Sequence, residues 1–543
     1  MNLFTKTLFA VAFVAAGVQS SFSQTAYSNP VADKLPKDYL SNAFHTGRRE
    51  ALRKMMPDNS VAVVFAYPER VFSNDVNYLY HPSPDLYYFS GYKEPDAVLL
   101  IFKETQHDAA GDFNELFYVR ERNAAREQWT GRRLGVEGTK AVLGFQRVYN
   151  SSEFANLPID LKKFSSILYA APDVMENDEA GSTGWLAKTF RQKTGIEPID
   201  KDVMSDLELI VARGTPKNIS RVITYLKPKF NSDSYKNNPL IAELVNKPDS
   251  ASLADVKAKF RSQFGGVSLY SDFMNKLRGV KTPEEVEQIR KAVVISSYAH
   301  AEAMRAVRPD MSEKELQGIY EYVHRKYGAE DEGYPPIVGA GANSCILHYE
   351  ENDVMHVDNQ LVLADVGAMY HGYSADVTRT YPANGKFTEE QKAIYQLVYD
   401  AQEEVFKLAK AGVPYSKLEE KTGEVLAAGL IKLGIITDPK DVRTYYPHGV
   451  SHHMGLDVHD DGEYDTNLIE GMVITVEPGI YIPAGSKCDK KWWNIGVRIE
   501  DDVVIGKEKC TVLSADAPRK WQDVEKTAAE KSIFNKTGLP ELK

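Results

Sequence analysis

The sequence predicts an α/β (α+β) protein with more than one domain, and three observations support this. The chain has 543 residues, of which 43% are hydrophobic, so it exceeds the usual length of one domain and can fill packed cores. Before residue 180, short apolar runs alternate with helix-like segments. After residue 270, amphipathic helices are followed by apolar strands and turns.

The first residues predict a secretory signal peptide over 1–23. Lys6 precedes an apolar run at 8–18, and Ser21 and Ser23 have the spacing of a cleavage site before Gln24. The run is shorter than the roughly 20 residues that span a bilayer. We therefore expect a soluble, exported protein, periplasmic or secreted, with no stable membrane anchor. Residues 24–40 are polar, contain two prolines and are predicted to form a flexible lead.

Charge and cysteine content exclude some classes of function. The net charge of −11 argues against a nucleic-acid partner, because such proteins usually carry a basic excess. The three cysteines, Cys345, Cys488 and Cys510, are few and not spaced as a zinc ribbon or disulfide scaffold. One disulfide bridge is possible, but the sequence does not show which two cysteines would form it. Burial of the cysteines as small apolar residues is the favoured alternative.

An N-terminal domain is predicted over 41–268. Strands are expected at 61–67, 96–102 and 115–120, with a helix near 135–143. Residues 183–265 are mixed and contain amphipathic helical stretches such as ISRVITYLKPKF, separated by loops.

A second domain is predicted over 269–520, followed by a C-terminal tail over 521–543. Its first helix has an N-cap at Thr282, Pro283 in the first turn and Glu285 in the capping-box position. Further helices are expected at 312–327, near 388–411 and at 416–433. The glycines at 339–343 predict a turn rather than a nucleotide-binding loop, because no clear helix follows them.

Four carboxylates fall within apolar strand sequences of this domain. LVLADVGA contains Asp365 and SADVTRTY contains Asp376, and the MYHGY between them can turn, so the two strands can form a hairpin with both acids on one face. MVITVEPG ends on Glu477, and VRIEDD contains Glu500. Buried ionised carboxylates cost several kcal/mol unless they are compensated, and hard oxygen ligands suit divalent cations.

Each feature also has a structural explanation. A strand acid can lie at an exposed end, the acids at 500–502 can form an acidic turn, and Arg379 and Arg498 can pair with acids. The stretch PHGVSHHMGLDVHDDG (447–462) holds four histidines, His448, His452, His453 and His459. Its glycines argue against a regular helix, and it lacks the glutamate of HExxH. Metal binding, acid–base chemistry and packing therefore stay open for these histidines.

Taken together, DVG, SADVTR, HGVSHHMGLDVHD, TVEPG and RIEDD resemble the metal centre of the pita-bread (M24-type) metallopeptidases, and within them aminopeptidase P, the Xaa-Pro aminopeptidases. SPDLYYFSGYKEPDAVLLIF (83–102), REQWTGRRLG (126–135) and LHYEEN (347–352) extend the resemblance over roughly 40–180 and 270–520. It implies a pita-bread catalytic domain preceded by a creatinase/aminopeptidase P-like N-terminal α/β domain. Residues 181–265 depart from the family pattern, so the first domain is enlarged; a structural extension is expected.

The resemblance also implies roles for individual residues. Two divalent metal ions, expected to be Mn²⁺ although cobalt, iron or zinc stay open, would activate a water and be bound by Asp365, Asp376, His452, Glu477 and Glu500. Among these, Asp376 and Glu500 would bridge the ions and Glu477 would also shuttle a proton. The expected substrate-pocket and orienting residues are His348, His448, His459, Arg498, and Asp85 and Trp129 from the first domain. His453 is left with a packing role.

The implied activity is removal of the N-terminal residue from peptides with proline in second position. The implied assembly is a homo-oligomer, a dimer or a tetramer. A prolidase that cleaves only Xaa-Pro dipeptides is the nearest alternative, because it has the same metal centre. Methionine aminopeptidase lacks such an N-terminal domain, and a non-catalytic pita-bread binding protein typically loses metal ligands.

Overall fold

A computed structural model describes residues 38–536, apart from 171, 173, 197 and 198. The predicted signal peptide, and the flexible lead up to residue 37, lie outside the described residues. Within the last three residues of that lead, Leu40 is buried in a hydrophobic core and Tyr39 packs against it, whereas Asp38 is exposed.

The N-terminal domain is built on a five-stranded mixed sheet with strand order β6-β5-β4-β1-β7. Its strands are β1 (Ser60–Phe65), β2 (Val71–Ser73), β3 (Val76–Asn77), β4 (Val98–Asp108), β5 (Gly111–Val119), β6 (Val148–Asn150) and β7 (Ser166–Tyr169), of which β2 and β3 form a separate hairpin. Its helices are α1 (Asn42–Met55), α2 (Pro84–Ser90), α3 (Ala124–Thr130) and α4 (Gly135–Leu143). Every residue of the apolar strand β1 is buried, because both faces of the sheet are covered.

A helical segment follows and forms a core of its own. Its helices are α5 (Thr183–Thr194), α6 (Lys201–Arg213), α7 (Ile219–Lys229), α8 (Asp233–Asn237), α9 (Pro239–Asn246) and α10 (Ser250–Gly279). Leu207, Leu226 and Val256 are fully buried in a hydrophobic cluster made by α6 to α10. The enlarged region predicted at 181–265 is therefore largely a helical subdomain, and its helix α10 contacts strand β7 of the N-terminal sheet.

The C-terminal domain contains the largest hydrophobic core. Its helices are α11 (Pro283–Ala306), α12 (Glu313–Lys326), α13 (Glu389–Leu408), α14 (Ser416–Lys432) and α15 (Trp521–Ala528). The predicted capping box of Thr282 and Glu285 is confirmed at the start of α11. The segment predicted as a C-terminal tail contains α15, whose Val524 is buried in this core.

Small antiparallel sheets lie between these helices. Their strands are β8 (Asp331–Glu332), β9 (Ile337–Ala340), β10 (Leu361–Asp365), β11 (Ala368–Tyr370), β12 (Tyr373–Ser374), β13 (Thr378–Pro382), β14 (Val473–Val476), β15 (Gly479–Ile482), β16 (Ile495–Arg498), β17 (Asp501–Ile505) and β18 (Cys510–Val512). The glycine stretch at 339–343 enters a short 3-10 turn, Gly341–Cys345, as expected. The three cysteines are free and half-buried.

The predicted hairpin around MYHGY is confirmed, with two corrections nearby. Strand β10 pairs with β13 so that Asp365 lies opposite Thr378, and the outer strands β11 and β12 pair up to a turn at 371–372. Asp376 lies between β12 and β13 rather than inside a strand, and Glu500 lies in the two-residue link between β16 and β17. The pairing is interrupted at these acids, so their side chains lie at strand ends that meet in one place.

No helix among residues 38–536 that the structure describes is long and apolar enough to cross a membrane.

Candidate active site

Three side chains from three separate segments meet where the hairpin and the histidine stretch come together. Ligand atoms of Asp376, His452 and Glu500 all lie within 4.8 Å of one another. Asp376 and Glu500 are buried, and the ring of His452 is half-buried. Two carboxylates and one imidazole at such spacing form a donor set that suits a divalent cation.

Asp365 lies beside this group and is tied to Asp376. The Tyr334 hydroxyl contacts both acids, with Oη 2.5 Å from Asp365 Oδ1 and 2.7 Å from Asp376 Oδ1. Arg498 Nη2 donates to Asp365 Oδ2 at 2.6 Å. Burial raises the pKa of Asp365, but the Arg498 guanidinium and the Tyr334 hydroxyl outweigh burial and hold that pKa below its ordinary value.

Glu477 closes the group on the side of the histidine stretch. Its Oε1 lies 3.5 Å from His452 Nε2, and its Oε2 lies 3.5 Å from His448 Nδ1. His452 Nε2 is also 3.4 Å from Asp376 Oδ2. The four predicted strand acids and His452 therefore form one continuous cluster, linked by direct contacts and charge interactions.

The electrostatics of the cluster show an excess of negative charge. Burial raises the pKa of Glu500, Asp376 and Glu477, and repulsion from the neighbouring carboxylates adds to this, which brings the pKa of Glu477 to about 7. Burial lowers the pKa of His452, but Asp376 and Glu477 outweigh it and raise that pKa to about 9. Three buried acids and the half-buried Glu477 have, among the residues that the structure describes, Arg498 and His452 as their close cationic partners, so the site fits added divalent charge.

The backbone fixes which nitrogen of His452 faces the acids. His452 Nδ1 donates to the carbonyl oxygen of His453 at 3.0 Å. That bond leaves Nε2, the atom directed at Asp376 and Glu477, with its lone pair available in the neutral ring. This orientation by a backbone carbonyl is typical of histidines that bind metals.

Comparison with known proteins accounts for this arrangement. The family model of metallopeptidase family M24 matches residues 287–507, and that of the aminopeptidase P N-terminal domain matches residues 45–168. The Xaa-Pro aminopeptidase of Escherichia coli (strain K12) is 32% identical over 490 residues, which cover 88% of this chain and 96% of that protein. The chain belongs to the aminopeptidase P family of metallopeptidases.

Other members of the aminopeptidase P family agree in sequence and in fold. Xaa-Pro aminopeptidase 3 of Homo sapiens is 29% identical over 494 residues, which cover 89% of this chain and 84% of that protein. The structure of aminopeptidase P from E. coli with the inhibitor Pro-Leu matches with a TM-score of 0.70 at 30% identity, covering 90% of this chain and 98% of that chain. The predicted fold class, a pita-bread domain preceded by an aminopeptidase P-like N-terminal domain, is confirmed.

The remaining histidines near the acidic cluster of this aminopeptidase P family member make different contacts. His459 packs edge-on against His452 with ring centroids 4.3 Å apart, and burial together with the nearby His452 lowers the pKa of His459. His348 is exposed and also acts on His459 through its charge. His448 Nε2 shares a hydrogen bond with the Tyr481 hydroxyl at 2.8 Å. His453 is fully buried between other groups, which confirms its expected packing role.

Asp85 and Trp129 lie outside the cluster within the single chain. Asp85 accepts from Arg278 Nη1 at 2.8 Å and from the Tyr270 hydroxyl at 2.9 Å, and Arg278 in turn bonds Asp457 in the histidine stretch. Trp129 lies on α3 with 88% of its surface exposed. Their predicted substrate-binding roles stay predictions.

Three residues that hold the cluster, Thr378, Tyr334 and Tyr481, are not predicted from the sequence. Thr378 Oγ1 donates to Glu500 Oε2 at 2.6 Å, and Arg498 Nη1 donates to the Tyr481 hydroxyl at 2.9 Å. The SADVTR motif contains Thr378, but the sequence gives no sign that its hydroxyl faces Glu500. Tyr334 lies in a proline-rich loop with no periodic signal.

The acidic-turn alternative for 500–502 is wrong. Asp501 and Asp502 are fully buried in β17, because each has a specific donor. Arg379 Nη2 donates to Asp501 Oδ1 at 2.6 Å, and the backbone amide of Asp376 donates to Asp502 Oδ2 at 3.0 Å. The expected pairing of Arg379 and Arg498 with acids is confirmed, and it occurs beside the cluster rather than replacing it.

Proposed function

We propose that this chain is an exported metalloaminopeptidase that removes the N-terminal residue from peptides with proline in second position. The observation that carries the proposal is the convergence of Asp365, Asp376, His452, Glu477 and Glu500 in a chain whose relatives are named Xaa-Pro aminopeptidases.

The five residues would hold two divalent metal ions, which we propose to be Mn²⁺. The structural support is the surplus of buried carboxylates and the imidazole nitrogen already directed at them. When bound, two such ions supply Lewis acidity and a water of lowered pKa.

The chain's own residues would position the substrate and move the proton. Glu477, between His448 and His452, can accept a proton from the attacking water and pass it to the leaving prolyl nitrogen. His459, whose ring packs edge-on against His452, can donate its N–H to the carbonyl oxygen as it gains charge. His448 lies beside Glu477 and would do the same on releasing the carbonyl oxygen of Gly449, to which its Nδ1 donates at 2.7 Å. Arg498 orients Asp365 through the hydrogen bond that its Nη2 donates to Asp365 Oδ2.

The substrate chemistry explains why a dedicated site is needed. An Xaa-Pro bond has no amide N–H, and the proline ring fixes φ. Enzymes that bind an extended substrate through main-chain hydrogen bonds lose one of those bonds here. The acidic cluster also provides negative charge close to where the free α-amine of the first residue must lie.

A substrate comparison tests the proposal against a prolidase. The mature protein, stripped of metal and restored with Mn²⁺, should cleave an Xaa-Pro-Pro tripeptide between the first two residues. Cleavage of a Gly-Pro dipeptide with no action on the tripeptide would instead identify a prolidase. No cleavage of either peptide with metal bound would favour the non-catalytic binding protein.

A second experiment tests the metal centre. Activity should disappear on chelation and return with Mn²⁺, and Glu477→Ala should abolish it. Full activity in Glu477→Ala, or in metal-free protein, would contradict the assignment of these residues as a catalytic metal site.

The export proposal rests on the N-terminal sequence alone and has its own test. After cell fractionation, the mature chain should be found outside the cytoplasm and begin at Gln24 on N-terminal sequencing. A cytoplasmic chain that keeps residues 1–23 would contradict it.

We also propose that copies of this chain form a homo-oligomer, a dimer or a tetramer. The support is an exposed apolar arm, residues 71–79, that holds β2 and β3. Its side chains Val71, Phe72, Val76, Tyr78 and Leu79 are all more than half exposed. Contiguous exposed apolar groups of this kind usually mark an interface.

A further inference from the structure

The far end of the hairpin that carries Asp365 and Asp376 is fastened to the start of the described chain. The hairpin turns at His371 and Gly372, both with positive φ (51° and 85°), between the paired residues Tyr370 and Tyr373. Two-residue turns of this kind suit glycine, asparagine or aspartate, so a histidine at the first position is unusual. Its ring is nevertheless buried, with 4% of the residue exposed.

The histidine ring is held on three sides. His371 Nε2 lies 2.9 Å from Asp38 Oδ1, and the ring of Tyr39 stacks on it with centroids 3.7 Å apart and planes 25° apart. His371 Nδ1 faces Glu330 Oε1 at 3.7 Å.

The same acids collect further partners from both domains. Glu330 accepts from the Tyr39 hydroxyl and from Lys93 of the N-terminal domain. Asp38 accepts from the Tyr370 hydroxyl, and Gln288 of α11 donates to the Asp38 carbonyl oxygen at 2.7 Å. We call Asp38, Tyr39, Lys93, Glu330 and His371 the clasp.

The clasp joins the N-terminal segment, the first domain and the catalytic domain at one point. Burial raises the pKa of Asp38, but the Tyr370 and His371 bonds outweigh it and hold that pKa at about 2, so the carboxylate is charged at neutral pH. Gly372, which follows His371 in the turn, lies so close to the Tyr87 ring of α2 that an added Cβ would be 3.2 Å from that ring. The tip is thus fixed both by charge and by shape.

We propose that the clasp positions the two aspartates of the metal site by fixing the tip of their hairpin. The six residue-to-residue steps from 365 to 371 span about 20 Å in extended form. Strand β11 lies between β12 and the two-residue strand β8 and forms two residue pairs with each, so the pairing that holds the register of the outer half is short. Residues 38 and 39, directly after the lead, thereby become positioning residues for Asp365 and Asp376.

This inference rests on the proposed metal site, and the test separates the two. His371→Asn keeps a residue that accepts positive φ while removing the ring, and Asp38→Asn removes the charge. The matched control is Asp112→Asn, which removes a carboxylate paired with His107 at 2.6 Å in an exposed hairpin of the first domain.

Two readouts should move together. In metal-free protein, hydrogen exchange of 366–377 should become about tenfold faster in both clasp variants and not in the control. Titration calorimetry should show Mn²⁺ affinity reduced about fivefold, which is less than the roughly 10–100-fold effects of groups that contact ligands directly. The double variant should resemble either single one, since the two residues act as a pair.

Unchanged exchange and unchanged affinity in both variants would overturn the clasp. If the unaltered protein binds no Mn²⁺, the proposed function fails, while the exchange measurement still decides whether the clasp holds the hairpin. Tyr39→Phe provides a variant that keeps the stacking and removes the hydroxyl bond to Glu330; it should give a smaller increase in exchange, and exchange equal to that of His371→Asn would contradict the stacking role.

Discussion

At the scale of single residues, the two adjacent histidines at 452 and 453 have opposite surroundings. The His452 ring faces Asp376 and Glu477, whereas the His453 ring is fully buried against Tyr464. The backbone produces this division, because the carbonyl of His453 accepts from His452 Nδ1 and so turns Nε2 toward the acids.

We therefore expect His452→Ala and His453→Ala to differ in kind. His452→Ala should lower metal affinity by more than about 100-fold, because loss of a group that only contacts a metal ligand already costs roughly 10–100-fold. His453→Ala should keep bound metal and lower the free energy of unfolding by about 1–3 kcal/mol through lost packing. Metal content by mass spectrometry and denaturant unfolding check the pair, and equal metal loss in both would contradict the assignment.

Tyr334 is the residue whose role is least visible in the sequence. Its hydroxyl contacts Asp365 and Asp376, which are 31 and 42 positions away. Tyr334→Phe should reduce Mn²⁺ affinity about tenfold, because one donor that fixes two ligands is lost.

Tyr381→Phe is the matched control for Tyr334. Its hydroxyl is also buried, but it bonds Tyr320 at 3.2 Å rather than the acids. Calorimetry should show unchanged Mn²⁺ affinity in this control, and a loss equal to that of Tyr334→Phe would refute a specific role for Tyr334.

At the scale of elements, α6 to α9 and the first half of α10 form a hydrophobic cluster of their own, whereas Tyr270 and Leu277 in the second half of α10 are buried in the core that also contains Tyr373 and Met454. Val267 lies at the edge of the helical cluster and also packs against the sheet of the first domain. The catalytic hairpin and the histidine stretch contribute nothing to this cluster. Its folding should therefore be perturbed without disturbing the metal site.

Leu207 and Leu209 on α6 give a matched pair for that expectation. Leu207 is fully buried in the cluster, whereas Leu209 is 45% exposed. Leu207→Ala should cost about 2–5 kcal/mol of local stability and speed hydrogen exchange over 201–264, with peptidase activity unchanged. Leu209→Ala should stay within about 0.5 kcal/mol. Lost activity in Leu207→Ala at a temperature where the rest of the chain is folded would show that the subdomain supports the site.

At the scale of the whole molecule, local signals could be predicted and long-range pairs could not. The α11 capping box and the hairpin around MYHGY follow from neighbouring residues, so the sequence specifies them. The Arg379–Asp501 pair joins residues 122 positions apart, and the Asp38–His371 contact joins residues 333 apart. A sequence shows that such residues need partners, but only the fold determines which partner each one meets.

The apolar arm at 71–79 leads to a prediction about assembly. Phe72 and Leu79 are 63% and 70% exposed, and Phe72 packs edge-on against Tyr78 within the arm. Replacing both with serine should convert the proposed oligomer to a monomer, because the apolar area that drives association is removed. Light scattering after size-exclusion chromatography measures the mass.

The control for this pair of substitutions is Ile533→Ser, at a position that is 61% exposed elsewhere on the surface. It should leave the oligomer intact. An unchanged mass for the double variant would place the interface on another surface, and a monomeric unaltered protein would refute the assembly itself.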